Sequence, residues 1–309
     1  MQVAIKYCLS CLLIFSIHLA KAQSIDKTKL IEHIAYLSSD ELEGRKTQSQ
    51  GNLAAREYIL NEFKSLDLAT QYPDYIQKFS FEGRRDNKVY DQAANIIAYI
   101  PGSSSKKLIV ITAHYDHVGI GRADSAGDSI YNGADDNASG TAALLELARY
   151  FKAHRPAHGI MFAALDGEEM GLQGAKALVK DFPYALDQIV LNINMDMISR
   201  NENGELYASG TYYYPTFKTI LEEAASGNKP ILKFGHDEPN TGRDNWTNSS
   251  DHGAFFKENV PHIYFGVEDH KDYHKPSDSF ENIDQEFFVN ATNLILKCTI
   301  ALDQELLKE

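Results

Sequence analysis

Cysteine is nearly absent. Three occur in 309 residues, and two of them, Cys8 and Cys11, fall within the first 22. With that segment removed only Cys298 is left, so no intrachain disulfide can form and small disulfide-stapled scaffolds are excluded. Cys298 lies in the apolar pattern LILKCTIAL and reads as a buried helix residue. Cations are also in short supply: 30 Lys and Arg stand against 43 Asp and Glu, for a net charge of −13. So acidic a balance excludes nucleic acid and anionic membrane surfaces as partners. Internal repeats and low-complexity tracts are missing too. Stability must come from a large core and from whatever the acidic groups bind.

The N-terminus has the character of an export signal. Lys6 precedes an apolar stretch from Tyr7 to Ala20, and Ala20-Lys21-Ala22 has small residues where a signal peptidase reads them. The stretch is too short for a spanning helix, and Ser10, Ser16 and His18 make it too polar. Cys8 and Cys11 precede most of it, so neither sits where a lipoprotein cysteine would. Cleavage after Ala22 is expected, giving residues 1–22 as a signal peptide and 23–309 as one catalytic domain. Cleavage removes two lysines and no acid, which moves the charge to −15. The expected product is an exported protein, periplasmic or secreted, with no stable membrane insertion.

Along the body, helix-like and strand-like apolar patterns alternate. Leu30, Ile31, Ile34 and Leu37 recur at helical spacing, as do residues from Leu53 to Phe63, with the polar turn SSDELEGR between them and Ser39 or Asp40 as its N-cap. Asn95–Ile100, Leu108–Ala113, Ile160–Leu165 and Ile189–Met195 read as strands, three of them apolar enough to be buried on both faces. Gly140–Phe151 and Leu172–Val179 read as helices. This order predicts an α/β fold with a mostly parallel sheet and helices on both faces.

Three acid- or histidine-bearing segments follow strands directly: His114 after LIVITA, DGEE after IMFAAL, and Asp196 at the end of IVLNINM. Sites in open α/β sheets lie beyond the carboxyl ends of the strands. In HYDH, His114 and Asp116 point to the same side of an extended chain, so Asp116 can fix the tautomer of a ligating His114. His117 reads as a neighbour rather than a ligand. GADDNASG carries two adjacent carboxylates that repel one another without a cation, and spacing does not choose between Asp135 and Asp136. A plainer reading makes it a helix cap through Asn137 and Ser139. In DGEEMGLQG one glutamate can bind a metal while its neighbour reaches a water. Asp196 closes a buried strand and needs a partner or a cation. Four histidines, His252, His262, His270 and His274, crowd the stretch from 252 to 274.

Taken in order, LSSDELEGR, HYDH, GADDNASG, GEEMGLQGA, NMDM, SSDHGAFF and YHKPSD resemble the co-catalytic dizinc exopeptidases, the family of bacterial secreted leucyl aminopeptidases and glutamate carboxypeptidase II. The resemblance spans most of residues 23–309. It implies a three-layer α/β/α sandwich around a mixed, mostly parallel sheet, two Zn²⁺ per chain and peptide substrates. Carried over, it makes Asp136 the bridging carboxylate, His114 and Asp196 ligands of one zinc, and Glu169 and His274 ligands of the other. Glu168 becomes the general base, Asp116 the orienter of His114, and a cis peptide is implied at Asp136–Asn137. Zinc in such a site acidifies water and polarises a carbonyl, and Glu168 would take the water's proton.

The expected activity is an aminopeptidase. A single-zinc glutaminyl-peptide cyclotransferase is the alternative, with a carboxypeptidase or dipeptidase of the same family as a third reading. Receptor ectodomains that keep the fold lose ligands, and here all five are intact. Tyr264 and Arg243 are candidates for stabilising an oxyanion. Residues 201–250 are the expected source of pocket walls; for Tyr212, Tyr213 and Tyr214 two readings stand, lining the pocket or simply packing on the domain.

Overall fold

A computed structural model describes residues 24–84 and 86–308; the expected signal peptide lies outside them. Ten strands form: β1 (Ile76–Glu82), β2 (Val89–Ile100), β3 (Leu108–His114), β4 (Gly119–Ile120), β5 (Ile130–Tyr131), β6 (Gly159–Leu165), β7 (Ile189–Met195), β8 (Glu205–Ser209), β9 (Ile231–Phe234) and β10 (His262–Gly266). The helices are α1 (Lys27–Leu37), α2 (Gln50–Ser65), α3 (Gly140–Ala153), α4 (Gln173–Lys180), α5 (Pro215–Ala225), α6 (His252–Lys257) and α7 (Gln285–Glu305). Eight strands make one sheet in the order β1-β2-β6-β3-β7-β10-β8-β9. The β6-β3-β7-β10 run is parallel, as is β8-β9, while β1, β2 and the β10-β8 pair are antiparallel.

Every residue of β3 and β6 is buried, which is why these strands read as unbroken apolar runs. Their side chains alternate between two cores. Ile109 and Ile111 of β3 and Ile160, Phe162 and Ala164 of β6 face the larger core, under α1, α2, α3, α5 and α7. Val110, Met161, Ala163 and Leu165 face the smaller one, under α4 and α6. The result is a mixed sheet between two helical layers. Cys298 is buried on α7 within the larger core.

One local expectation is corrected: Ser39 holds the N-cap position of the next element but its side chain makes no capping bond, and Asp40 lies inside that element. SSDELEGR forms a short 3₁₀ turn with left-handed residues at Glu43, Gly44 and Arg45, and no side chain caps it. The cap of α2 is Ser49, which accepts from the Asn52 amide. Gly44 is required here, since an added Cβ would meet the Tyr131 carbonyl at 2.4 Å. The turn frees Arg45 to point inward. Its buried guanidinium donates to the carbonyls of Leu37, Tyr115, Asn132 and Gly133, tying the α1 end, the β3 exit and the segment before Asp136 together.

Candidate metal centre

The three neighbouring parallel strands β6, β3 and β7 end side by side, so the segments after them share one edge. His114 ends β3, Asp196 follows β7, and Glu168 and Glu169 follow β6. Asp136 comes from the turn 134–139 before α3, and His274 from the loop between β10 and α7. All five expected metal-ligating residues converge there.

They do so in two clusters that share one carboxylate. His114, Asp136 and Asp196 form the first; His117, Asp136, Glu169 and His274 form the second. His114 Nε2 lies 3.3 Å from Asp196 Oδ1 and 3.4 Å from Asp136 Oδ1. His274 Nε2 lies 3.0 Å from Asp136 Oδ2 and 3.2 Å from Glu169 Oε1. Asp136 thus turns a different oxygen to each cluster. Two donors of a tetrahedral zinc with bonds of about 2.0–2.1 Å stand roughly 3.3 Å apart, and these separations match. The donors are imidazoles and carboxylates, both suited to zinc.

The turn is built to present Asp136 and withdraw its neighbour. The Asp135 carboxylate accepts from the Ser199 amide and hydroxyl, both at 2.7 Å, and faces His270 Nε2 at 3.1 Å. The Asp278 carboxylate accepts the Asp135 and Asp136 amides. The Asp136–Asn137 peptide is cis. The Asn137 side chain donates to the Met195 carbonyl at 2.9 Å and accepts from the Gly140 amide at 2.9 Å. A Cβ on Gly140 would meet both the Asn137 Oδ1 and the Met195 carbonyl at 2.4 Å, so glycine is needed for this approach.

Asp116 contributes through two groups. Its carbonyl faces His114 Nδ1 at 3.1 Å, while its carboxylate stands 3.7 Å from that nitrogen. The carboxylate accepts instead from the Glu168 amide at 3.0 Å. The Glu168 side chain lines a cavity of about 340 Å³ together with Asp136, Asp196, His274, Arg243 and Tyr264.

The electrostatics are those of crowded buried acids. Burial pushes the Glu168 carboxyl well above the usual carboxylate range, and raises Asp196 too. Burial and Asp136 also act to raise Glu169, but the imidazoles of His117 and His274 outweigh them and bring it down to about 2. Burial opposes charge on His274, yet Asp136 and Glu169 lift it to about 10. Without bound cations, the histidines and the buried Arg45 guanidinium offset this cluster.

Other histidines and the tyrosines sort differently. His252 and His262 are buried beside each other, and burial takes His252 down to about 4 and His262 well below its ordinary value. Of the two readings of Tyr212, Tyr213 and Tyr214, packing away from the site is the one the structure favours. Tyr213 and Tyr214 line a separate cavity with Lys107, Val190 and Pro261, at the amino ends of the parallel strands, and Tyr212 is exposed. Residues 201–250 do supply walls, through Arg243, Asn245, Trp246 and Ser249. The Tyr264 hydroxyl donates to the Asp196 carbonyl at 3.1 Å.

Comparison with known proteins agrees with this architecture. A probable zinc metalloprotease of Pyrenophora teres f. teres is 34% identical over 158 residues, 48% of this chain and 32% of its own length. Aminopeptidase YwaD of Bacillus subtilis is 29% identical over 202 residues, 61% of this chain and 39% of its own. The chain therefore spans well under half the length of these relatives. The crystal structure of Porphyromonas gingivalis glutaminyl cyclase superposes with a TM-score of 0.72 at 19% identity, covering 91% of this chain and 99% of the other. The model of peptidase family M28 matches residues 95–299, well over half of the sequence, and so the chain belongs to peptidase family M28.

Proposed function

We propose that this chain is an exported aminopeptidase holding two zinc ions, with residues 23–309 as its single catalytic domain. The observation that carries the reading is Asp136, which offers Oδ1 to His114 and Oδ2 to His274. On this reading His114, Asp196 and Asp136 hold one ion, and Glu169, His274 and Asp136 hold the other. Bound zinc supplies Lewis-acid chemistry, polarising the scissile carbonyl and acidifying water.

The chain's own groups do the rest. Glu168 is held by its amide on Asp116 and faces the cavity. Its burial favours holding a proton, as a group must that takes one from attacking water and returns it to the leaving amine. Asp116 positions two parts at once: its carbonyl fixes the His114 ring and its carboxylate fixes the Glu168 backbone. Arg243 and Tyr264 line the same cavity and are the candidates for meeting the oxyanion. Export rests on the N-terminal signal pattern; among the described residues no helix is long and apolar enough to cross a membrane.

The preference for the amino end rests on family resemblance and on the name of the YwaD relative. Leucyl or similar anilides should be cleaved and their N-acetylated forms spared. Equal cleavage of both, or release only from the carboxyl end of a peptide as a carboxypeptidase would give, overturns it. The likeness to a glutaminyl cyclase favours a second reading, in which one zinc suffices and an N-terminal glutaminyl peptide is cyclised. Ammonia release from such a peptide, without anilide cleavage, would select it.

A further inference from the structure

His117 is buried, and neither ring nitrogen has a hydrogen-bond partner among the described residues. Its Nδ1 nevertheless approaches Glu169 Oε1 to 2.8 Å and Asp136 Oδ2 to 3.7 Å. Glu169 Oε1 is itself buried and unpartnered. Two buried polar atoms this close without a hydrogen bond are spaced as ligands of a common cation are. Nδ1 also lies within 4.8 Å of the His274 and Asp136 donor atoms. The separations of 2.8, 3.7, 3.0 and 3.2 Å around this group scatter about the roughly 3.3 Å edge of a zinc tetrahedron.

We infer that His117 is a sixth protein ligand, binding through Nδ1 the zinc shared by Asp136, Glu169 and His274. The inference rests on the dinuclear reading above and makes its two halves unequal. One ion has four protein donors, the arrangement of a closed site; the other has three, His114, Asp136 and Asp196, and keeps a position open. Glu168, Asp136, Asp196 and His274 line the cavity of about 340 Å³, while His117 and Glu169 line a second one of about 410 Å³ with Lys46, Thr47 and Met170. The two ions therefore differ in donor number, which makes the His117 side the tighter, slower-exchanging site.

Anomalous diffraction at the zinc edge from zinc-loaded wild-type crystals tests this directly. A peak about 2.1 Å from His117 Nδ1 supports the inference. Two peaks, both more than about 3 Å from that nitrogen, overturn it and leave the dinuclear reading intact. A single peak or none sinks the dinuclear reading. In solution, His117→Gln and His117→Ala should each weaken one of the two zinc ions in chelator competition and leave the other within a few-fold. Loss of a partner one shell further out already costs 10–100-fold, so the drop should be on the order of 100-fold or more. Unchanged affinity at both sites in variants that melt normally without metal also overturns it.

Discussion

The Asp278 carboxylate accepts two consecutive backbone amides from across the chain, those of Asp135 at 2.9 Å and Asp136 at 3.0 Å. One side chain thereby fixes the peptide that carries the shared carboxylate. Burial and the nearby Asp135 push Asp278 up to about 6.

Asp278→Ala should leave both buried amides unpaired. That costs about 1–3 kcal/mol for an unsatisfied buried group and, by releasing Asp136, roughly 10–100-fold in zinc affinity. Urea unfolding and chelator competition measure the two effects. Asp278→Asn, which keeps one acceptor, should lose less. Wild-type affinity in the alanine variant would mean the turn holds itself.

Glu168→Gln should retain zinc and fold yet lose on the order of 10²–10⁴ in kcat, because the amide cannot accept the proton. Glu169→Ala should lose metal instead. Near-normal turnover by Glu168→Gln would remove Glu168 from the base role.

The same residue should set the acid limb of activity. Its carboxyl is raised by burial, and only the deprotonated form accepts a proton. kcat/KM should therefore fall as pH drops through the titration of Glu168, with bound cations placing that midpoint below its metal-free value. A limb that persists unchanged in Glu168→Gln would assign it to another group.

Chelation should lower the melting temperature, and added zinc should restore it in a concentration-dependent way. Each site at 100 times its Kd adds about 2.7 kcal/mol to folding. Differential scanning calorimetry at graded zinc reads this, and a melt indifferent to chelator would exclude tight binding.

Cys298 should resist thiol reagents in the native protein at pH 8. Burial pushes its thiol up to about 12, so almost no thiolate forms and no reagent reaches it. Labelling at the rate of the unfolded chain would show that α7 opens readily.

How much of this could be read in the sequence depended on how local each cause was. His114, the Glu168-Glu169 pair and Asp196 were legible because each follows a strand whose apolar run is unmistakable. Asp135 and Asp136 could not be separated by spacing. What distinguishes them is a hydrogen bond from Ser199, 64 residues away. His274 could not be told from His252 or His262 because only tertiary packing buries the latter pair against each other. Tyr213 and Tyr214 stay open in the sequence for the same reason, since residue type says nothing about which edge of a sheet a segment covers. The sequence reads His117 as a neighbour, and its place in the second cluster shows only where tertiary packing brings it beside Glu169.

Arg45 carries a further consequence. Burial lowers its pKa to about 10, and the charges of Asp136, Asp278, Asp116 and Glu169 work against that loss. Its guanidinium spends its hydrogen bonds on main-chain carbonyls, so its positive charge is left to act on those acids through space. The fold therefore carries a built-in counter-charge behind its acidic centre, in place before any ion arrives. Loops clamped by that cation are assembled by the chain alone. On the two-zinc reading proposed above, loading would fill a receptacle that the chain has already shaped.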